Sequence, residues 1–176
     1  MDTITKDISA VILNDSEQLN SNILQAFEKH LKNDHFKKTH LFNGRYENLY
    51  IAREDIEEIE PVLQQALAIA SKQFSIAKDD LKIGFWFNRM APGEETTWHS
   101  HDDGDEILSG VYYITVAENS GNLIIEDDNK KLSIAPVSGR MVCFPPDKAH
   151  SVETNNSDII RLSLAFNIGQ PPSEYD

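Results

Sequence analysis

Leu19, Ile23, Phe27 and Leu31 recur at near-fourfold spacing, which draws one apolar stripe along a helix. Asp15 and Ser16 stand just ahead of it with side-chain oxygens suited to capping. A second stripe, Ile56, Ile59, Leu63, Leu67 and Ala70, predicts a helix from about Glu54 to Phe74. Pro61 falls inside that span, so the helix starts or restarts there. Between the two stripes, Glu47 to Ala52 reads as a short strand. After Asp80 the period falls from that of a helix to that of a strand. Leu81 to Met90, Ile107 to Val116, Asn122 to Ile125, Lys131 to Ala135, Arg140 to Phe144, the stretch around His150, and Ile159 to Ile168 all read as strands. Turn residues at Asn119-Ser120-Gly121 and Asp127-Asp128-Asn129 separate several of them. Short strands at this spacing predict a mainly β protein, a jelly roll or related barrel with two helices covering one outer face.

Length allows one domain, 1–176, with residues 1–80 as strand and helical support and 81–170 as the β core. Pro171-Pro172 begins a loose tail. A net charge of −13 argues against nonspecific binding of nucleic acid or an anionic membrane, since both require a basic footprint. Cys143 is the single cysteine, so an internal disulfide is excluded, and its setting in Met141-Val142-Cys143-Phe144 makes it a small buried hydrophobe. There is no basic leader followed by an apolar run and no membrane-length apolar stretch, so a cytoplasmic location is expected.

Chemistry concentrates in His99-Ser100-His101-Asp102-Asp103, answered by His150. Two histidines and one carboxylate leave open positions on an octahedral, redox-active metal. On an extended segment, ligands at i and i+2 point to one face. His101 with Asp103 satisfies that spacing, and so does His99 with His101, in which case Glu106 is the obvious carboxylate. His30, His35 and His40 read as surface residues. In the last strand Arg161, Ser163, Ala165 and Asn167 share a small, polar face, while Ile160, Leu162, Leu164 and Phe166 share an apolar one. An arginine aimed into a barrel needs a carboxylate, and its planar fork suits one end of a small acidic cosubstrate. One of Tyr112 and Tyr113 must face the same interior, and Asn88 shares a strand face with Trp86.

These residues resemble a known family. Trp98-His99-Ser100-His101 together with LSGVYYI (108–114), SGNLIIED (120–127), GRMVCFPPDKAHSV (139–152) and RLSLAFNI (161–168) look like the 2-oxoglutarate- and Fe(II)-dependent oxygenases. Within these they are closest to a small bacterial and phage branch related to prolyl hydroxylases. The resemblance covers roughly 82 to 168. It implies a double-stranded β-helix, with two N-terminal helices packed on one sheet. It also implies Fe(II) as metal and 2-oxoglutarate as cosubstrate. Carried over by position, His101, Asp103 and His150 would hold the metal, with His99 as the alternative proximal ligand. Arg161 and Ser163 would take the 5-carboxylate of 2-oxoglutarate, helped by Tyr113, and Asn88 would line its pocket. The implied reaction hydroxylates a C–H bond of a small-molecule or peptide substrate and releases succinate and carbon dioxide. A homodimer is compatible with the chain.

A rival reading is a cupin. Gly93, His99, His101 and Glu106 fit much of the first cupin motif, and Gly139, Pro145 and His150 fit much of the second. Its ligands would be His99, His101, Glu106 and His150, in an oxygenase or isomerase without 2-oxoglutarate or in a noncatalytic binding module. Arg161-Leu162-Ser163 separates the two readings, because a cupin has no need of a buried arginine there.

Overall fold

The structure is a computed structural model that describes residues 2–101, 104–128 and 130–170. Two short strands, β1 (Asp2–Thr3) and β2 (Ser9–Ile12), precede helix α1 (Ser16–Lys32). A hairpin of β3 (Lys37–Phe42) and β4 (Arg45–Tyr50) leads through tight 3-10 turns into helix α2 (Glu60–Phe74). Eight strands follow: β5 (Lys82–Met90), β6 (Thr96–His99), β7 (Glu106–Thr115), β8 (Leu123–Asp127), β9 (Lys130–Ile134), β10 (Arg140–Phe144), β11 (His150–Val152) and β12 (Arg161–Gly169).

The chain passes back and forth between two sheets, which makes the double-stranded β-helix. One sheet has eight strands in the order β1-β2-β10-β7-β12-β5-β4-β3, and the other has four in the order β6-β11-β8-β9. Every pairing is antiparallel, and β12 is the spine of the larger sheet, in register with β5 on one side and β7 on the other. The period-two pattern of β12 sorts its side chains as expected. Leu162, Leu164, Phe166 and Ile168 join Ile23, Phe27, Leu63 and Leu67 of the helices in one apolar core outside the sheet. Between the sheets a second, smaller core forms from Tyr113, Leu123, Ile125, Ile134, Val142 and Phe144. Cys143 is buried in the helix-side core, and burial pushes its thiol up to about 12.

Three local expectations are corrected. Asp15 sits in the left-handed region at φ 52° and makes no side-chain capping bond, so the start of α1 is a backbone turn. The second helix begins at Glu60 rather than Glu54, with Pro61 in its first turn, where the missing N–H leaves no bond unmade. Ile56 and Ile59 are still buried, but from the 3-10 turns that precede it. Strand β3 was not anticipated because its sequence, KKTHLF, has no alternation and leaves both faces largely exposed. The signal that finds it is Asn43-Gly44, both at positive φ, the pair a two-residue hairpin turn requires.

Candidate metal and cosubstrate site

The site lies between the sheets. Strands β6 and β11 are neighbours in the small sheet, and their register sets His99 directly opposite His150. Their ring centroids are 4.2 Å apart. His101 follows β6 and is held by its backbone N–H, which donates to the Pro146 carbonyl at 2.8 Å. Its ring lies 4.9 Å from that of His99 and 5.2 Å from that of His150. One nitrogen from each of the three imidazoles falls within 4.8 Å of the others, close enough for one ion.

Two of these rings are fixed in tautomer. Nδ1 of His99 lies 2.8 Å from the Thr97 carbonyl oxygen, and Nδ1 of His150 lies 2.9 Å from that of Lys148. A carbonyl only accepts, so each Nδ1 carries the proton and each Nε2 presents a lone pair. Metal-binding histidines are characteristically oriented by such a bond from the far nitrogen. Burial pushes His150 down to about 3, with His99 and then His101 adding to the effect and the Lys148 carbonyl opposing it. The ring is therefore neutral at physiological pH, as a ligand must be.

Behind the imidazoles the cavity continues along β12. It is lined by His99, His101, His150, Asn88, Arg161 and Ser163 among others. Arg161 is 1% exposed. Its Nη1 contacts Ser163 Oγ at 3.3 Å and Met90 Sδ at 3.5 Å, while Nε and Nη2 are buried without a partner. The Tyr113 ring lies beneath the guanidinium, 5.3 Å from it, and the Tyr113 hydroxyl is also buried without a partner. Burial raises the Tyr113 hydroxyl above its ordinary range, against the pull of the cation, so it stays a donor. A buried cation with two idle N–H groups is costly unless something anionic meets it. The unmet donors of Arg161 and Tyr113 match one carboxylate, which can accept from a guanidinium in bidentate fashion. The pocket therefore fits one end of 2-oxoglutarate, and the three imidazoles fit ferrous iron.

Tyr113 is the inward tyrosine of the pair. Tyr112 faces the helices, where its hydroxyl donates to Asn20 Oδ1 at 2.7 Å. Asn88 is buried in the cavity wall, its amide engaged with Thr96 Oγ1 at 3.3 Å and with Arg45 Nη1 at 3.4 Å. Asp103 lies outside the described residues. Glu106, the carboxylate of the cupin reading, is not in the group with the imidazoles but lines a separate cleft with Lys82, Tyr50 and Gly169. His35 and His40 are exposed and His30 half-buried, and none of them belongs to the convergent imidazole group. The sequence did not reveal roles for Arg45 and Glu47 of β4, which contact β6, or for Thr97 within β6. No spacing rule links positions fifty residues apart, and Glu47 entered the sequence analysis only as the first residue of a short strand.

Residues 85–169 match the family model of the 2OG-Fe(II) oxygenase superfamily. This β core belongs to that superfamily. No characterised protein in a curated sequence set matches the chain. Among solved structures, a prolyl-4-hydroxylase from Pseudomonas putida is 18% identical over 95% of this chain and 94% of its own, with a TM-score of 0.70. A prolyl hydroxylase from Trichoplax adhaerens, solved with a hypoxia-inducible-factor peptide, is 13% identical over 94% of this chain and 84% of its own, TM-score 0.71. An α-ketoglutarate-dependent carbocyclase from nogalamycin biosynthesis is 15% identical over 93% and 79%, TM-score 0.73. At these identities the likeness is one of fold. The 2OG-Fe(II) oxygenases use ferrous iron and 2-oxoglutarate, and His99, His101 and His150 of this core form a possible metal site. The buried Arg161, with Nε and Nη2 unmet, and the position of Glu106 away from the imidazoles set the cupin reading aside.

Proposed function

We propose that this 2-oxoglutarate-dependent oxygenase hydroxylates a C–H bond of a small molecule or peptide, with iron held by His99, His101 and His150. The observation that carries the reading is the pairing, in one cavity, of three convergent imidazoles with a buried arginine whose Nε and Nη2 have no partner. Bound iron and 2-oxoglutarate would supply the oxidising chemistry with dioxygen as co-reactant, one oxygen atom entering the substrate and the other the succinate left when 2-oxoglutarate loses carbon dioxide. The protein supplies position. Arg161, Ser163 and Tyr113 take the far carboxylate of the cosubstrate. The Thr97 and Lys148 carbonyls fix the rings of His99 and His150. The closed β-helix keeps water from the inner end. Toward the other end of β12, Trp86, Asn48 and Asn167 line the same cavity and offer the substrate an aromatic face and amides. The peptide seen with the Trichoplax enzyme and the biosynthetic role of the carbocyclase support these two substrate classes.

The test is an anaerobic titration of Fe(II)-loaded protein with 2-oxoglutarate, followed in the visible region. A metal-to-ligand charge-transfer band is expected for the wild type, a weakened one for Arg161→Ala, and none for His150→Ala. On the three-histidine assignment His99→Ala also loses the band and Asp103→Ala keeps it. The reverse result restores His101, Asp103 and His150 as the ligand set. A wild-type protein that binds iron yet shows no band overturns the cosubstrate assignment.

A further inference from the structure

Strand β6, which carries His99, is an edge strand of the small sheet, with β11 as its only strand partner among the described residues. Its outer side is met instead by a side chain from the other sheet. Glu47 of β4 is 6% exposed. Its Oε1 accepts the Thr97 backbone N–H at 2.9 Å, and its Oε2 accepts the Thr97 hydroxyl at 3.0 Å. Both carboxylate oxygens thus grip one residue, and the carbonyl of that same residue receives Nδ1–H of His99.

Arg45, also on β4, completes the clamp. Its Nη2 donates to the Glu95 carbonyl and to Thr96 Oγ1 at 3.3 Å, and lies 3.5 Å from Glu47 Oε1. Its Nη1 reaches Asn88 Oδ1 and the Arg89 carbonyl, both at 3.4 Å, on β5. Nε faces Glu94 at 3.5 Å. The Arg45 and Glu47 side chains are 9% and 7% exposed, so solvent screens this pair little. A carboxylate is costly to bury, and this one is matched by a cation and by two donors on a single strand. Its position is explained if the register and height of β6 matter.

We infer that Glu47, neutralised by Arg45, is a positioning residue for the metal site, acting through Thr97 on the orientation of His99. The inference rests on the proposed role of His99 as a ligand. Glu47 and Arg45 both precede the segment that matches the oxygenase family, so the device belongs to the N-terminal support of this chain. Removing the carboxylate frees the outer side of β6, and the Thr97 carbonyl no longer holds the ring at a fixed angle. The expected loss of metal affinity is about 10–100-fold, the range for partners that orient a ligand from behind.

The experiment titrates the metal-free full chain with Co(II) and reads affinity, the visible d–d spectrum and the hyperfine-shifted imidazole N–H protons by NMR. Wild type is expected to show slowly exchanging N–H signals from His99 and His150. Glu47→Ala is expected to bind Co(II) more weakly and to lose the His99 signal while keeping that of His150. Glu47→Gln, which retains an acceptor for the Thr97 N–H, is expected to fall between the two and guards against simple misfolding. Asn20→Ala is the control, because it disturbs a buried network on the helix side of the sheet without touching β6. Weakened Co(II) binding in the Glu47 variants but not in Asn20→Ala supports the positioning role. Wild-type affinity and an intact His99 signal in Glu47→Ala overturn it. Equal losses in Glu47→Ala and Asn20→Ala also overturn it, since they mark a general loss of stability. Failure of the wild type to bind Co(II) at all overturns the metal site itself.

Discussion

Arg161 is where stability and function oppose each other. It is among the largest fully buried side chains of the protein, and two of its nitrogens have no partner. Replacing a buried, poorly paired charge with an apolar residue of similar length is often stabilising by about 1–4 kcal/mol. Arg161→Met is therefore expected to raise the melting temperature of the metal-free protein while weakening the 2-oxoglutarate-dependent band, which calorimetry and the anaerobic titration check together. His150 makes the corresponding statement about pH. Its folded value of about 3 lies below the ordinary 6.5, so on acidification the unfolded chain takes up this proton before the folded chain does. This contribution to stability is complete above about pH 6.5 and is lost as the pH falls toward 3. Urea melts of the metal-free protein should show that slope, at most about 1.4 kcal/mol per pH unit for one proton. His150→Gln should flatten it.

The elements are held in place by polar pins as well as by apolar cores. Asn20 of α1 accepts from Tyr112, and its Nδ2 donates to Ser138 Oγ at 2.9 Å and to the Tyr113 carbonyl at 3.4 Å. Tyr112→Phe removes one donor and leaves Asn20 Oδ1 buried, at an expected cost of about 1–3 kcal/mol. Activity should persist, because the network lies on the helix side of the sheet. Denaturant melts alongside turnover assays would show the two effects separating. Gly110 marks a different constraint, on the spacing of β7 against its neighbours. A Cβ there would lie 2.3 Å from Phe166 Cζ and 2.8 Å from the Val142 carbonyl oxygen. Gly110→Ala must push Phe166 aside or bend β10, and a loss of about 1–3 kcal/mol is expected from such overpacking.

For the molecule as a whole, ligand binding should be felt as stability. A ligand that binds only the folded state at a hundred times its Kd adds about 2.7 kcal/mol. For a chain of this size that is a rise in melting temperature of roughly 5–11 °C. Mn(II) with 2-oxoglutarate is expected to produce it in the wild type, and 2-oxoglutarate is expected to add less over Mn(II) alone in Arg161→Ala than in the wild type. Thermal melts with and without each ligand decide it. No described helix is long and apolar enough to cross a membrane.

Periodicity alone was enough for most strands of the β core (though not for β6), for the existence of the two helices and for the two faces of the last strand. Alternation of side chains along a strand and a stripe along a helix are local geometry, and burial follows from them without knowledge of partners. The same alternation aimed Arg161 and Ser163 inward, and the sequence clustering of His99, His101 and His150 pointed to the imidazole group that could hold a metal. What needed the tertiary structure was every choice that depends on a partner distant in the chain. Tyr113 rather than Tyr112 faces the cavity because strand pairing fixed which side of β7 meets the helices. His99 joins the imidazole group because β6 pairs with β11, a register that spacing within the motif does not specify. Glu47 reaches Thr97 only because two sheets fold face to face. Local patterns set which side of an element is buried, and long-range pairing decides what it is buried against.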